Sequence, residues 1–467
     1  MKSFKTTVAS LRDSGTFFGR AHPIYIGRAP GRLDLMGGND DYTGGLVFEA
    51  TIREATWAAV QVRDDDRILF SNPQMAEHGW RDSVEFSLSN LVDVAAVKKL
   101  VNQEPSIRWT SYVLGVFYLL KQRYPFIVTT GANVFIHSEV PLNKGVSSSA
   151  AIEVAVMKTA AYVYGIELEG VELAEACQWV ENVIADSACG IMDQIAVVLG
   201  DEGYILPLVC QPCLPEPLVR LPEDLQCWGI DSGVKHAVTG LEYETARAAA
   251  FMGYKMICDW EDLPVEKDET SAIPRWTDPR WNGYLANLTR SIFRYHYEPR
   301  LPEEIRGSEF LRDGRGHVDP FTPVRPQASY FIRANTRYAV EENQRVQLFA
   351  ELARGAGEIS SDRAFVLMGD LMYQSHYAYT ECGLGAKETD TLVELVRAEG
   401  PANGLYGAKI TGGGAGGTVA VLGRNTAGEA FERVVQKYSE KQGIKPYVFE
   451  GSSIGADRFG VIQLEES

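Results

Sequence analysis

Apolar residues along this chain recur with two periods, one of strands and one of helices. Between residues 132 and 140, Ala132, Val134, Ile136 and Val140 fall on one side and Asn133, His137 and Glu139 on the other. That alternation predicts a half-buried strand, although Phe135 and Ser138 break it. Pro141, Asn143 and Gly145 end the strand, and the apolar run Ala150–Ala161 predicts a helix. Pro23–Arg28, Thr56–Val62, Arg67–Phe70 and Trp228–Asp231 read as further strands, with the turn Asp64–Asp66 joining the second to the third. Helical spacing predicts Trp109–Gln122, where Tyr112, Val113, Val116, Tyr118 and Leu119 form an apolar side. It also predicts Val171–Asp186, where Leu173, Cys177, Val180 and Ile184 should face a core. Later helices are expected over Val340–Ala353, Ala364–His376 and Glu388–Ala398, and residues 409–422 read as strand, glycine loop and strand.

Length changes this picture from one domain to two, because 467 residues exceed the usual single core. The five prolines of residues 206–222 mark the crossing. We therefore expect an N-terminal domain over 1–210 and a C-terminal domain over 211–467. The second carries an irregular Trp- and Pro-rich insertion near 259–325, with a helix within Asn287–Tyr297. A net charge of −17 argues against nucleic acid and anionic membranes as partners. No run of about twenty apolar residues occurs, and MKSFKTTVASLRDSG lacks the apolar core of a signal peptide. Seven scattered cysteines suit a reducing cytoplasm, and the lone CxxC, Cys210 and Cys213, reads as buried thiols more readily than as a metal site.

Candidate chemistry gathers in loops. SEVPLNKGVSSSAAIE, residues 138–153, joins a strand, a glycine-containing loop and a serine-rich helix start, where unpaired N–H groups and the helix dipole favour an anion. An ordinary serine-capped helix would also fit these letters, but one cap needs one serine. RAPGRLDLMGGNDDYTGG, residues 28–45, holds five glycines and three aspartates around Arg28 and Arg32, with Leu33, Leu35, Met36 and Tyr42 woven through it. That mixture suggests a partly buried site for a polar ligand. Glu181 lies at the edge of its helix's apolar stripe, where a surface position is the ordinary expectation. Asp193 stands among Ile191, Met192, Ile195 and Ala196, and a carboxylate buried there must be paired or functional. Lys235 and His236 precede a helix carrying Tyr243 and Arg247.

Generic nucleotide motifs do not account for these loops. GxxxxGK[ST] is absent. Gly412, Gly414 and Gly417 satisfy GxGxxG, but a strand follows where a dinucleotide fold needs a helix. Ser232–Lys235 fits SxxK without the other motifs of a β-lactamase-like site. Taken together, RAPGRLDLMGGNDDYTGG, PLNKGVSSSA and KITGGGAGGTV resemble, in order, the three motifs of the GHMP family of small-molecule kinases. CGIMDQ, DSGVKH and GDLMYQSH are similar to its galactokinase branch. The resemblance implies an α+β enzyme, with an N-terminal α/β domain and a C-terminal ferredoxin-like domain flanking the active site. It also implies transfer of the ATP γ-phosphoryl group, with Mg²⁺, to the anomeric hydroxyl of a galactose-like sugar.

By that resemblance Asp193 is the base or orienter, and Arg32 lies between hydroxyl and phosphate. Ser149 and Glu181 correspond to magnesium ligands. Lys144, Gly145, Val146, Ser147, Ser148, Ser149, Gly413 and Gly414 belong to the ATP loops. Gly38, Asn39, Asp41, Gly190, Asp193 and Tyr243 correspond to sugar-binding positions. Galactokinases typically read GEHTDY where this chain has Gly37-Gly38-Asn39-Asp40-Asp41-Tyr42. The family's glutamate, which grips the exocyclic hydroxyl, is thus Gly38, while Asp41 is retained. A pocket without that carboxylate suits a pentopyranose such as L-arabinose, because no buried acceptor is left unpaired. MGGxxDY, WGIDSGVKH, YGAKITGGG and FEGSS are similar to the plant L-arabinokinase branch. Galactose and galacturonate are the alternatives, since Asn39 and Asp40 could supply a substitute contact. A nonenzymatic sugar and ATP sensor is the alternative of another class, and the oligomeric state, monomer or dimer, stays open.

Overall fold

A computed structural model describes residues 1–234, 240–268, 274–312, 316–355 and 361–465. Lys235 and His236 lie outside the described residues. The N-terminal half is built on a nine-stranded sheet. Its main strands are β1 (Tyr25–Met36), β2 (Leu46–Val62), β3 (Arg67–Ser71), β4 (Ser83–Ser87), β5 (Ala132–Ser138) and β6 (Tyr204–Val209). The order is Val461–Gln463, β1, β2, β5, β3, β4, with β6 alongside the first half of β2. Only β3 and β5 pair in parallel among the described ladders of this sheet.

β1 runs well past the short strand expected at Pro23–Arg28. From Ala29 to Met36 it is buried throughout, Arg32 and Asp34 included, so no alternation marks it as a strand. Much of the glycine-rich segment is therefore strand, and only its end is turn. The helices are α1 (Lys2–Asp13), α2 (Val94–Val101), α3 (Ser111–Arg123), α4 (Ser148–Val163), α5 (Gly170–Val183) and α6 (Met192–Leu199). α4 lies across β1 and β2, and α3, α5 and α6 pack around it. Val154, Ala155 and Met157 of α4 share one core with Phe117, Val180 and Ile195.

The C-terminal half places β7 (Leu225–Asp231), β8 (Leu405–Ile410), β9 (Thr418–Arg424) and β10 (Val448–Glu450) in a four-stranded antiparallel sheet, order β8-β9-β7-β10. Its helices are α7 (Leu241–Trp260), α8 (Ile332–Arg354), α9 (Ser361–Glu381), α10 (Lys387–Glu399) and α11 (Gly428–Gln442). Leu33, Phe48 and Ile205 of the first half share a core with Phe349, Phe365, Tyr406 and Phe449 of the second. Between α7 and α8 the chain forms two short ladders, Glu266–Lys267 with Trp276–Thr277 and Ile305–Arg306 with Ser329–Tyr330. Helical turns run from Arg290 to Arg300. Trp281, Phe293, Tyr297, Phe310 and Val318 bury themselves against Phe251, Tyr254 and Ile257 of α7, so the insertion is a packed body. Among the described residues no helix is long and apolar enough to cross a membrane. All seven cysteines are free, with Cys210 and Cys213 buried.

Candidate active site

Arg32, 2% exposed in the middle of β1, joins the parts of the site. Its Nε and Nη2 donate to Oδ1 of Asp193, at the start of α6, at 3.0 and 2.6 Å. Nη1 donates to the Gly145 carbonyl at 2.6 Å, and Glu49 Oε2 of β2 lies 3.4 Å from Nε. Burial opposes the guanidinium charge, but Asp193, Glu49 and Asp34 outweigh it and raise the Arg32 pKa above its ordinary value. The β1–β2 register sets Glu49 opposite Asp34. Asp34 is in turn paired with Lys409 of β8 at 2.6 Å, with neither side chain exposed. Burial first, and then Asp34, push the Glu49 carboxyl well above the usual range.

The serine loop has left-handed backbone at Asn143, Gly145 and Ser147, with φ of 58°, 70° and 61°. Such alternation turns successive N–H groups toward one concavity. α4 begins at Ser148 without a side-chain cap, and Ser147 Oγ is buried with no partner. The first N–H groups of the helix are thus not taken up by a serine cap, which disposes of the ordinary capping role at Ser147. Ser148 is part-exposed, whereas Val146 is buried in the shared core. Opposite lies the glycine loop between β8 and β9. A Cβ on Gly412, whose φ is +69°, would fall 2.8 Å from the Gly145 carbonyl and 3.4 Å from Arg32 Nη2. Thr418 Oγ1 donates to the Lys144 carbonyl at 2.8 Å, and Lys144 Nζ is paired with Asp231 at 2.8 Å. Gly413 faces the Tyr243 ring and Gly414 packs on Leu384.

Behind Asp193 is a second group of acids. Glu181, 5% exposed on α5, accepts from Gln194 Nε2 at 2.7 Å and from Ser187 Oγ at 3.3 Å. Burial and the Asp193 charge push its carboxyl up to about 7, against hydrogen bonds from Ser149, Ser187 and Cys189. Glu153, fully buried on α4, leaves Oε1 without a partner and is pushed well above its usual range by burial and by Glu181. Two buried carboxyls, one with an oxygen left unpartnered, and a serine hydroxyl form a donor set that suits a hard, oxygen-seeking cation. Among the described residues no group of three or more His, Cys, Asp or Glu side chains could hold a metal alone. An ion at Ser149 and Glu181 would therefore take its other ligands from water and phosphate.

A cleft lined by Asp41, Tyr42, Gly190, Ile191, Arg247 and residues of the insertion lies next to the centre; Asp193 does not line it, but its charge reaches the Asp41 carboxyl. A Cβ at position 190 would lie 2.0 Å from Asp41 Oδ2, so Gly190 is what lets the carboxylate lie there. Burial, then Asp193, push the Asp41 carboxyl up to about 7, while Arg247, the Tyr42 N–H and Arg32 oppose this. Tyr243 stands edge-on to Tyr42, with ring centroids 5.7 Å apart. Asn39 is 4% exposed, donates its N–H to Tyr379 Oη at 3.1 Å and leaves Nδ2 unpaired. Asp40 is buried and receives the Thr43 hydroxyl, so it turns under its own loop. At Gly38 (φ +47°) a Cβ would meet Tyr379 Oη at 1.8 Å and Asp34 Oδ2 at 2.9 Å. The space of the missing side chain is thus occupied by tyrosine.

The structure brings Arg32, Asp41, Ser149, Glu181, Gly190, Asp193, Tyr243 and the serine and glycine loops to one centre. Sequence reasoning missed Glu49, Glu153, Tyr379 and the part played by Arg247. Glu153 did carry a signal, since it stands four residues after Ser149 on the same helix face.

Comparison with known proteins identifies the family. Residues 15–62 match the galactokinase galactose-binding signature, 111–201 the GHMP kinases N terminal domain and 348–440 the GHMP kinases C terminal domain. An L-arabinokinase of Arabidopsis thaliana is 34% identical over 98% of this chain and 48% of its own length, so the chain spans about half of that relative. A galactokinase of Chloroflexus aggregans is 31% identical, covering 91% of each chain. The crystal structure of Lactococcus lactis galactokinase complexed with galactose superposes with a TM-score of 0.74 at 22% identity, over 96% of this chain and 99% of that one.

Proposed function

The chain belongs to the galactokinase branch of the GHMP kinase family and is a sugar kinase that uses ATP; we propose that it phosphorylates the anomeric hydroxyl of L-arabinose. The observation that carries the catalytic part is the Arg32 guanidinium, which touches both the Asp193 carboxylate and the serine-loop carbonyl of Gly145. An oxygen seated beside Asp193 then lies next to the fixed positive charge of Arg32 and within reach of the α4 N-terminus.

In this reading Asp193 accepts the proton of the anomeric hydroxyl as its oxygen bonds to the γ-phosphorus and the bond to the ADP oxygen breaks. Arg32 is held from both ends, so it stabilises charge on the transferring group without reorganising. The serine-loop N–H groups and the glycine loop cradle the phosphates. Ser149 and Glu181 would hold Mg²⁺, which supplies charge neutralisation at the phosphates. Asp41 orients the ring hydroxyls.

The sugar assignment is supported by Gly38. No side chain can project there, because Tyr379 Oη fills the position, and Asp40 turns to the Thr43 hydroxyl of its own loop. The exocyclic hydroxymethyl of galactose would lose a charged acceptor, whereas a pentopyranose lacks that group and loses nothing. The Arabidopsis relative's name agrees with this choice. A coupled ADP-release assay on galactose, L-arabinose and galacturonate tests it. Higher kcat/KM for galactose than for L-arabinose would overturn the sugar assignment, and absence of ADP release with every sugar would favour a sensor.

A further inference from the structure

The insertion between α7 and α8 closes the sugar cleft, and we infer that Arg247, held by Asp319 of that insertion, is a further sugar-contacting residue that donates to a ring hydroxyl. The inference rests on the sugar-kinase reading of the cleft. Arg247 projects from α7, four residues beyond Tyr243, and lines the cleft together with Asp41. Its Nε and Nη2 form a two-pronged pair with the Asp319 carboxylate, both at 2.9 Å, with side-chain exposures of 5% and 1%. The Thr322 hydroxyl also donates to Asp319, at the oxygen that accepts from Arg247 Nε. The guanidinium lies over three rings, Tyr42 at 5.0 Å, Phe321 at 5.5 Å and Phe251 at 5.8 Å. Those rings come from the sugar motif, the insertion and α7, so the group is fixed from every side.

One nitrogen is left over. Nη1 of Arg247 is buried and has no hydrogen-bond partner. A buried charged donor without a partner is costly, and a ligand hydroxyl is one way its shell is completed. Arg275, the other arginine of the cleft, offers no comparable donor. It is engaged by Asp268 at 2.8 and 2.7 Å and by Tyr284 Oη at 2.8 Å.

Charge decides what Nη1 takes. Asp319 already neutralises Arg247, and the Asp41 carboxyl sits across the same cleft. A carboxylate or phosphate ligand would face two acids for one cation. A hydroxyl suits both neighbours, since it accepts from Nη1 while donating to Asp41. The insertion thereby acquires a role: its Asp319 and Phe321 position the donor that reads the sugar.

The test uses Arg247→Met, Arg247→Lys and Asp319→Asn in the full chain, with a series of monodeoxy analogues of the preferred sugar. Loss of a charge-assisted hydrogen bond should raise the sugar KM by about tenfold to hundredfold in Arg247→Met. KM for ATP should stay within about twofold, and Asp319→Asn should show a smaller rise of the same kind. One deoxy analogue should be penalised in the wild type and not in Arg247→Met, a pattern that a merely structural residue would not produce. If Arg247→Met does not fold, Asp319→Asn and the deoxy series on the wild type carry the test. Unchanged sugar KM, equal rises in both KM values, or deoxy penalties identical in wild type and variant would overturn the inference. Calorimetric titration of sugar into wild type and Arg247→Met reads the contact without turnover. Failure of the kinase assignment is thereby distinguishable from failure of this contact.

Discussion

Replacing Asp193 by Asn removes one charge and one proton acceptor while keeping the shape of the side chain. In the structure both Arg32 donors converge on a single Asp193 oxygen, at 3.0 and 2.6 Å. An asparagine carbonyl can occupy that place, so the guanidinium keeps an acceptor. Glu49 stays 3.4 Å from Nε, although burial and Asp34 favour the neutral form of its carboxyl. The stability cost should be that of weakening a charged hydrogen bond to a neutral one, about 1–2 kcal/mol. The catalytic cost is larger, because asparagine cannot take the hydroxyl proton, and a positioned base typically contributes about 10²–10⁴-fold. We expect kcat to fall by at least about a hundredfold, with sugar binding still measurable by calorimetry and Tm lowered by a few degrees. Initial rates of ADP release, sugar affinity and a thermal melt on one preparation separate these terms. A variant that turns over at near-normal kcat would remove Asp193 from proton transfer. A variant that binds no sugar and melts far below the wild type would show that its role is structural.

The Asp41 carboxyl, raised to about 7 against an ordinary 3.8, gives a pH dependence of defined sign. Between about pH 4 and 7 the unfolded chain has released a proton that the native chain keeps, so this group's contribution to ligand-free stability falls as pH rises through that window and levels off above it. Sugar hydroxyls donate to the ionised form, so kcat/KM for sugar should drop by up to about tenfold per unit below pH 7, and Asp41→Asn should flatten that limb. Gly412→Ala should strain a left-handed position by about 1–3 kcal/mol and drive a methyl toward the Gly145 carbonyl. It should raise KM for ATP more than KM for sugar in steady-state assays. Gly38→Glu should lower Tm and activity on every sugar, because Tyr379 occupies the space. Gly38→Glu combined with Tyr379→Ala should shift the ratio of galactose to L-arabinose turnover toward galactose.

How much of this was legible beforehand depended on where the burial lay. β5 was found from its alternating letters, yet it is not half-buried as those letters suggest, since Ala132–Ile136 are all buried, Asn133 included; the helix expected at Glu388–Ala398 matches Lys387–Glu399 within a residue at each end. The second half of β1 was not readable. It is buried on both faces, yet it carries Arg32 and Asp34, whose partners Asp193 and Lys409 are supplied by distant segments. Charged letters in such a strand look like a solvated turn until those partners are known. Motif order located the serine loop, Asp193 and Glu181. It could not reveal Glu153, hidden in an apolar helix, or the pairing of Arg247 with an aspartate 72 residues away. Tyr379 was invisible for a related reason, since its role is to occupy a volume that the sequence shows only as a glycine.

Charge balance at the centre leads to a last expectation. Each of the four described cations there already faces a carboxylate: Arg32 with Asp193, Lys144 with Asp231, Arg247 with Asp319 and Lys409 with Asp34. Beyond these pairs stand Asp41, Glu49, Glu153 and Glu181, all buried, with their carboxyls pushed up. A nucleotide triphosphate brings several negative charges into a volume whose described cations are already paired. Helix N–H groups and the serine loop offset only part of that, since a helix terminus is worth about half a charge. ATP without a divalent ion should therefore bind at least about tenfold more weakly than with Mg²⁺, a difference of about 1.4 kcal/mol. Glu181→Gln, which leaves a neutral side chain beside Ser149, should narrow that gap by weakening binding in Mg²⁺ more than in EDTA. Titrating a fluorescent ATP analogue into wild type and variant under both conditions reads the gap directly. Equal affinity in EDTA and in Mg²⁺ would mean that these acids are protonated bystanders and that the ion is held elsewhere.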